Sequence, residues 1–166
     1  MSPKFDKNRS IRADSLSFNN DGSIKKVIAT LRGIGVSNAS GKIQIDRYSL
    51  INAKGASVTF LDSLNYKGGW KTILATRDAW IQYNSVDFGK NKLTKATIQA
   101  FSKTGGTVQI RLDNINGPVI AKATIPKGKE WSLGSYPLSK YYTGIHNLVV
   151  QLLDDSNIEI DWVSFK

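Results

Sequence analysis

Eight stretches of the chain alternate apolar and polar residues with a period of two: KIQIDRYSLI, ASVTFL, AWIQYNSVDF, KATIQAFS, TVQIRLDNI, VIAKATI, HNLVVQLL and NIEIDWVSF. A chain that turns every second side chain inward is an extended strand with one face on a core. Between the stretches stand NAKG, NYKGG, KTGG, NINGP and PKGK, whose glycine, proline and asparagine residues bend the backbone. Short β-branched strands punctuated this evenly predict an all-β fold, an antiparallel β-sandwich of the jelly-roll type. No window of about eleven residues carries a helical period. YPLSKYY comes nearest, and Pro137 and Gly144 limit it.

The N-terminal part reads differently. ADSLSFNNDGSIKKVIATL has the pattern of a small hairpin with NNDG as its turn, joined through GIGVSNASG to the first sandwich strand. A lone hairpin is marginal in water, so this arm is expected to pack on the sandwich or on a neighbouring domain. The boundary falls near Val36 to Gly41, which gives an arm over 1–36 and a sandwich over 37–166.

Composition removes several function classes. The 166 residues hold no cysteine, so there is no disulfide, no thiol nucleophile and no thiolate metal site. No run reaches the roughly 18 apolar residues that a membrane-spanning helix needs. Lysine plus arginine exceed aspartate plus glutamate by 23 − 13 = 10. The basic residues are spread along the whole chain, without an arginine-rich helix or an aromatic RNA-binding signature, so neither nucleic acid nor a membrane is an expected partner.

Catalysis finds little to work with. His146, the one histidine, stands where GIHNLVVQL enters a strand whose next residues are core, which favours a structural role. There is no nucleophile elbow and no GxxxxGK phosphate loop. Glycosidase chemistry needs two carboxylates facing one substrate, and the adjacent Asp154 and Asp155 diverge from each other in a turn or a strand.

Two other features ask for an explanation. Four tryptophans, Trp70, Trp80, Trp131 and Trp162, serve one small domain. Trp131 lies in the polar stretch PKGKEWSLGS and Trp80 opens a strand after the polar RDA. An indole outside a core offers a flat face that stacks on the C–H surface of a sugar ring with little loss of conformational entropy. Asp161, for its part, sits among Ile158, Ile160 and Trp162. A carboxylate at the edge of an apolar sheet is costly unless a lysine, an arginine or a metal ion neutralises it.

Taken in order, IQIDRY, RDAWIQYNSVDFG, GGTVQIRLDNINGPVIAKATIP, GKEWS, GIHNLVVQL and IEIDWVSF resemble the pattern of family 6 carbohydrate-binding modules over about residues 41–166. The RLD…GP strand pair and the terminal DWVSF are the most specific parts. The leading NRSIRADSLSFNNDGSIKKVIATLRG is similar to the last strands of a family 43 glycoside hydrolase, which often precede such a module.

The resemblance implies a non-catalytic module that targets an appended hydrolase to hemicellulose, xylan or arabinoxylan above all. It implies a monomer, joined in cis to an upstream catalytic domain and exported as part of a longer chain to the cell surface, periplasm or medium. It also implies a structural calcium held by Gln44, Asp46 and Asp161, with Asp46 standing where the family usually has glutamate. Carbonyls from the loop near Asn65 to Gly69 would complete the shell, because calcium takes six to eight oxygens.

For sugar, the resemblance implies a ring clamped between Trp80 and Trp131. Glu159 occupies the place of a family asparagine, and Asn157 is the candidate for the lost hydrogen-bond donor. Trp70 is left to the core or to a second cleft. The alternatives are a domain that braces the catalytic domain, and a binder of acidic polysaccharide drawn by the positive charge.

Overall fold

The structure, a computed structural model, describes residues 13–166. It contains eleven strands: β1 Ser37–Asn38, β2 Leu50–Ile51, β3 Ala56–Phe60, β4 Trp70–Leu74, β5 Trp80–Asp87, β6 Lys95–Phe101, β7 Gly106–Leu112, β8 Val119–Ile125, β9 Ser132–Pro137, β10 Ile145–Leu152 and β11 Ile158–Phe165. One sheet runs β1-β5-β10-β7-β8, with β2 also on β5, and the other runs β3-β4-β11-β6-β9. All pairings are antiparallel except β1 on β5. Helical structure among the described residues is a single 3-10 turn, Tyr66–Gly68, inside NYKGG.

The period of two does the sorting. Ile81, Val150, Ile110 and Ala121 lie side by side on four strands of the six-stranded sheet, and all are buried in the core. Leu74, Ile158, Ile160, Ala100, Ile98 and Val163 do the same on the five-stranded sheet. The outward residues of each strand are therefore displayed on two separate outer faces.

Three sequence expectations need correction. KIQIDRYSLI is not one strand: Ile43 makes an isolated bridge to Val163, and the chain then turns, with Arg47 N–H donating to the Gln44 carbonyl, before β2 begins. The turn is what carries Gln44 and Asp46 to one place. Strand β4, WKTIL, was hidden because its inward positions are Thr72 and Leu74 while the apolar Ile73 faces out. Strand β9, SLGSYP, has inverted polarity, since Ser132, Gly134 and Tyr136 face inward while Leu133 is 62% exposed. Gly134 is required there because a Cβ would lie 2.6 Å from atoms of the Tyr136 ring.

Residues 1–12 of the arm lie outside the described residues. In the remainder, Phe18 bridges Ile24 across the NNDG turn, as the hairpin pattern predicts. Leu16, Phe18, Ile24, Val27 and Ile28 are exposed. The chain that follows is tied down: Leu31 and Arg32 N–H both donate to the Tyr48 carbonyl, and the Arg32 guanidinium donates to the Asn84 and Ser85 carbonyls while lying 5.0 Å from the Tyr83 ring centroid.

Candidate functional site

At one end of the sandwich, Gln44, Asp46, Asp161, Gly68, Gly69 and Trp70 line a cleft of about 270 Å³, with Lys42 and Arg47 also on its wall. Asp161 reaches it through a β-bulge. The register of β11 on β6 slips between Ile160 and Trp162, so Asp161 is the inserted residue and leaves the strict alternation. Asp46 is buried, and its Oδ1 has no hydrogen-bond partner.

Burial pushes the Asp46 carboxyl up to about 6, opposed by Arg47 and reinforced by the negative charge of Asp161. Burial also raises Asp161, against the pull of Lys42. Lys42 itself lies 4.8 Å from the Trp162 ring centroid. Among the described residues no three His, Cys, Asp or Glu side chains converge. The donor set is two carboxylates, one amide oxygen and nearby backbone, all hard oxygen ligands, and the orphaned Asp46 oxygen is the kind of group a hard cation satisfies. The residues fit calcium.

The second cluster occupies the outer face of the five-stranded sheet. Glu159 pairs in register with Ile73 and Phe101, and these three point away from the core. Trp131, just ahead of β9, packs beside Phe101 with ring centroids 6.0 Å apart and 42° between planes, and is half-buried. Lys71 Nζ lies 2.6 Å from Glu159 Oε2 and 6.0 Å from the Trp131 ring centroid. With side chains only 17% and 21% exposed, Lys71 and Glu159 form a held pair that offers donors and acceptors together. Asn157 is exposed at the same end, and its carbonyl accepts from the Ser102 hydroxyl at 2.6 Å.

Trp80 is elsewhere. It pairs in register with Gln151, which pairs with Gln109, which pairs with Lys122, all on the outer face of the six-stranded sheet. Its strand neighbour Ile81 is core, so the interior of the sandwich stands between Trp80 and Trp131. The expected clamp of one ring between these two indoles is not formed. The partner of Trp131 is Phe101. Parity carried that signal, because Ala96, Ile98 and Ala100 fill the inward positions of β6 and leave Phe101 outward.

The remaining polar residues have structural partners. His146 sits between the Asp113 carboxylate and the Thr143 carbonyl, edge-on to Phe88. Asp154 accepts from the Ser156 hydroxyl and from Thr107 N–H, while Asp155 pairs with Arg77. The two adjacent aspartates thus turn to different partners.

A family model described as carbohydrate binding module (family 6) matches residues 51–166. The chain belongs to this family. It is therefore a non-catalytic carbohydrate-binding module, and its sandwich is shared with solved family 6 structures. The CsCBM6-3 module from Clostridium stercorarium, solved with cellobiose, is 19% identical and superposes with a TM-score of 0.70, covering 80% of this chain and 97% of that one. A glycoside hydrolase family 43 arabinoxylan arabinofuranohydrolase from Bacillus subtilis, solved with cellotetraose, has the same identity and TM-score and covers 92% of this chain. The present family 6 chain spans 33% of that enzyme's length. A module named CBM36, solved with calcium and xylotriose, is 16% identical with a TM-score of 0.57, covering 76% of this chain and 99% of that one. No curated protein sequence matches significantly.

Proposed function

We propose that this module holds a glycoside hydrolase, joined upstream in the same exported chain, on xylan or arabinoxylan. The observation that carries the proposal is the half-buried Trp131 beside Phe101, with the Lys71–Glu159 pair next to it on one open face. A pyranose ring stacks its C–H face on the indole, and its hydroxyls meet the pair. The family asparagine both donates and accepts; here Lys71 donates and Glu159 accepts, which restores the missing function from two side chains. Asn157 extends the polar rim.

Binding of one or two rings on an open face gives dissociation constants in the micromolar to millimolar range, about −4 to −8 kcal/mol. Attachment to an enzyme converts that weak contact into retention through effective concentration. The exposed apolar hairpin supports an upstream neighbour, as does a fold match that extends to 92% of the chain in the arabinofuranohydrolase against 80% in CsCBM6-3. Gln44, Asp46 and Asp161 hold calcium at the bulge of β11, where it pins the 42–47 turn to the sheet and touches no sugar.

Calorimetric titration with xylotriose and a double-mutant cycle test the site. Lys71→Met leaves Glu159 without its partner and lowers affinity by about 1–2 kcal/mol, as Glu159→Ala does for Lys71. Lys71→Met combined with Glu159→Gln binds more tightly than Lys71→Met alone, because an amide supplies donor and acceptor by itself. Additive losses in the double variant would contradict the shared role.

A further inference from the structure

Next to Trp131 the same face continues into a groove of about 570 Å³ lined by Phe101, Lys103, Lys127, Gly128 and Lys129. The volume lies within the range of small-ligand clefts. Its walls come from two loops joined by backbone: Gly128 N–H donates to the Ser102 carbonyl at 2.9 Å, and the Ser102 hydroxyl donates to the Asn157 carbonyl at 2.6 Å. The groove is therefore a built feature, and its floor is the aromatic ring that already neighbours Trp131.

Its charge is one-sided. Lys103, Lys127 and Lys129 are exposed and make no ion pair with a carboxylate among the described residues. Glu130 is the single carboxylate in the 127–131 segment, and Glu159 is engaged by Lys71. Three lysines lining one groove beside Phe101 give it a positive potential, and an anion in the groove is drawn to that potential. A compact ammonium is a point charge suited to a carboxylate or sulfate of any orientation, and does not impose the planar geometry that arginine would.

We infer that the ligand carries an anionic sugar, a uronate or a sulfated residue, placed in the Lys103–Lys127–Lys129 groove while a neighbouring ring stacks on Trp131. This rests on the sugar-binding reading of the Trp131 face and names the class of sugar beside it. The selectivity is electrostatic, so it is graded by salt, whereas stacking of a neutral ring is not.

The test is calorimetric titration with three probes, neutral xylotriose, trigalacturonate and sulfated xylotriose, at about 20 mM and about 500 mM sodium chloride. At least one anionic probe binds about tenfold more tightly than xylotriose at low salt and loses that advantage at high salt. Which one does so separates carboxylate from sulfate. The Lys103→Gln, Lys127→Gln, Lys129→Gln triple variant, changed only at exposed positions, removes the advantage and leaves xylotriose affinity as it was. Equal affinity for all three probes, or an advantage that survives the triple variant, overturns the inference while leaving neutral binding at Trp131 intact. Binding of none of the three overturns both. Anionic binding that persists in Trp131→Ala also overturns it, because the groove would then act without the stacked ring.

Discussion

Trp131→Ala is expected to abolish measurable heat in a titration with xylo-oligosaccharide while leaving the fold standing. Removing the indole deletes the stacking surface and exposes the Lys71–Glu159 pair to competing water. Loss of a central aromatic contact costs about 2–4 kcal/mol, which takes a micromolar to millimolar complex beyond detection. The melting temperature changes little, because Trp131 lies outside the buried core and its one aromatic neighbour, Phe101, is itself only half-buried. Differential scanning calorimetry beside the titration checks both halves. Undiminished affinity in the variant would remove the platform, and a collapse of the melting temperature would make Trp131 a structural residue.

Chelation is expected to give the second large effect. An ion that binds the folded protein and not the unfolded chain, at about one hundred times its dissociation constant, adds about 2.7 kcal/mol. For a domain of this size that corresponds to a fall of roughly 5–10 °C in melting temperature on chelation. Asp46→Asn makes the argument specific. In the metal-free protein at neutral pH the Asp46 carboxylate is buried with its Oδ1 unpartnered, and burial raises its pKa to about 6, so the charged form works against folding. Since the folded pKa lies above the unfolded one, that penalty is absent below the ordinary aspartate range and grows as pH rises through about 6. Asn at this position is expected to stabilise the chelated protein by about 1–2 kcal/mol and to abolish the response to calcium. A melting temperature indifferent to chelator in the unaltered protein would sink the calcium assignment and leave Lys42 and Arg47 to balance the two carboxylates.

Much of the sandwich was legible because burial on one face imposes a period of two that residue types must respect. TVQIRL, VIAKATI and HNLVVQL each place their core residues where alternation puts them. Strand β9 was not legible, because its packing is reversed: Tyr136 fills the space above Gly134, so a glycine faces in and a leucine faces out. The apolar spacing of KIQIDRYSLI also concealed a turn, since Ile43 and Ile45 are buried whether the chain runs straight or bends at Gln44–Arg47.

The sites divide along the same line. Asp161 stood out among its apolar neighbours, Gln44 and Asp46 followed from the family resemblance, and the structure gathers the three in one cleft through the turn and the bulge. Sugar contacts depend on which strands are neighbours, and sheet order is not written locally. Trp80 opens β5 in one sheet, while Trp131 leads into β9 in the other, so two indoles of similar sequence setting end on opposite sides of the core. Lys71 was missed for the related reason that its partner, Glu159, is 88 residues away.

The most direct test of the central claim is to follow the four indole N–H resonances by nitrogen-15 correlation NMR during titration with xylotriose, each assigned by a tryptophan-to-phenylalanine variant. The resonance of Trp131 is predicted to shift saturably, in step with the calorimetric heat, while those of Trp70 and Trp162 at the Gln44–Asp46–Asp161 cleft stay in place, whatever Trp80 does on its separate face. A Trp131 resonance that does not move while heat is released would contradict the account and place the sugar elsewhere.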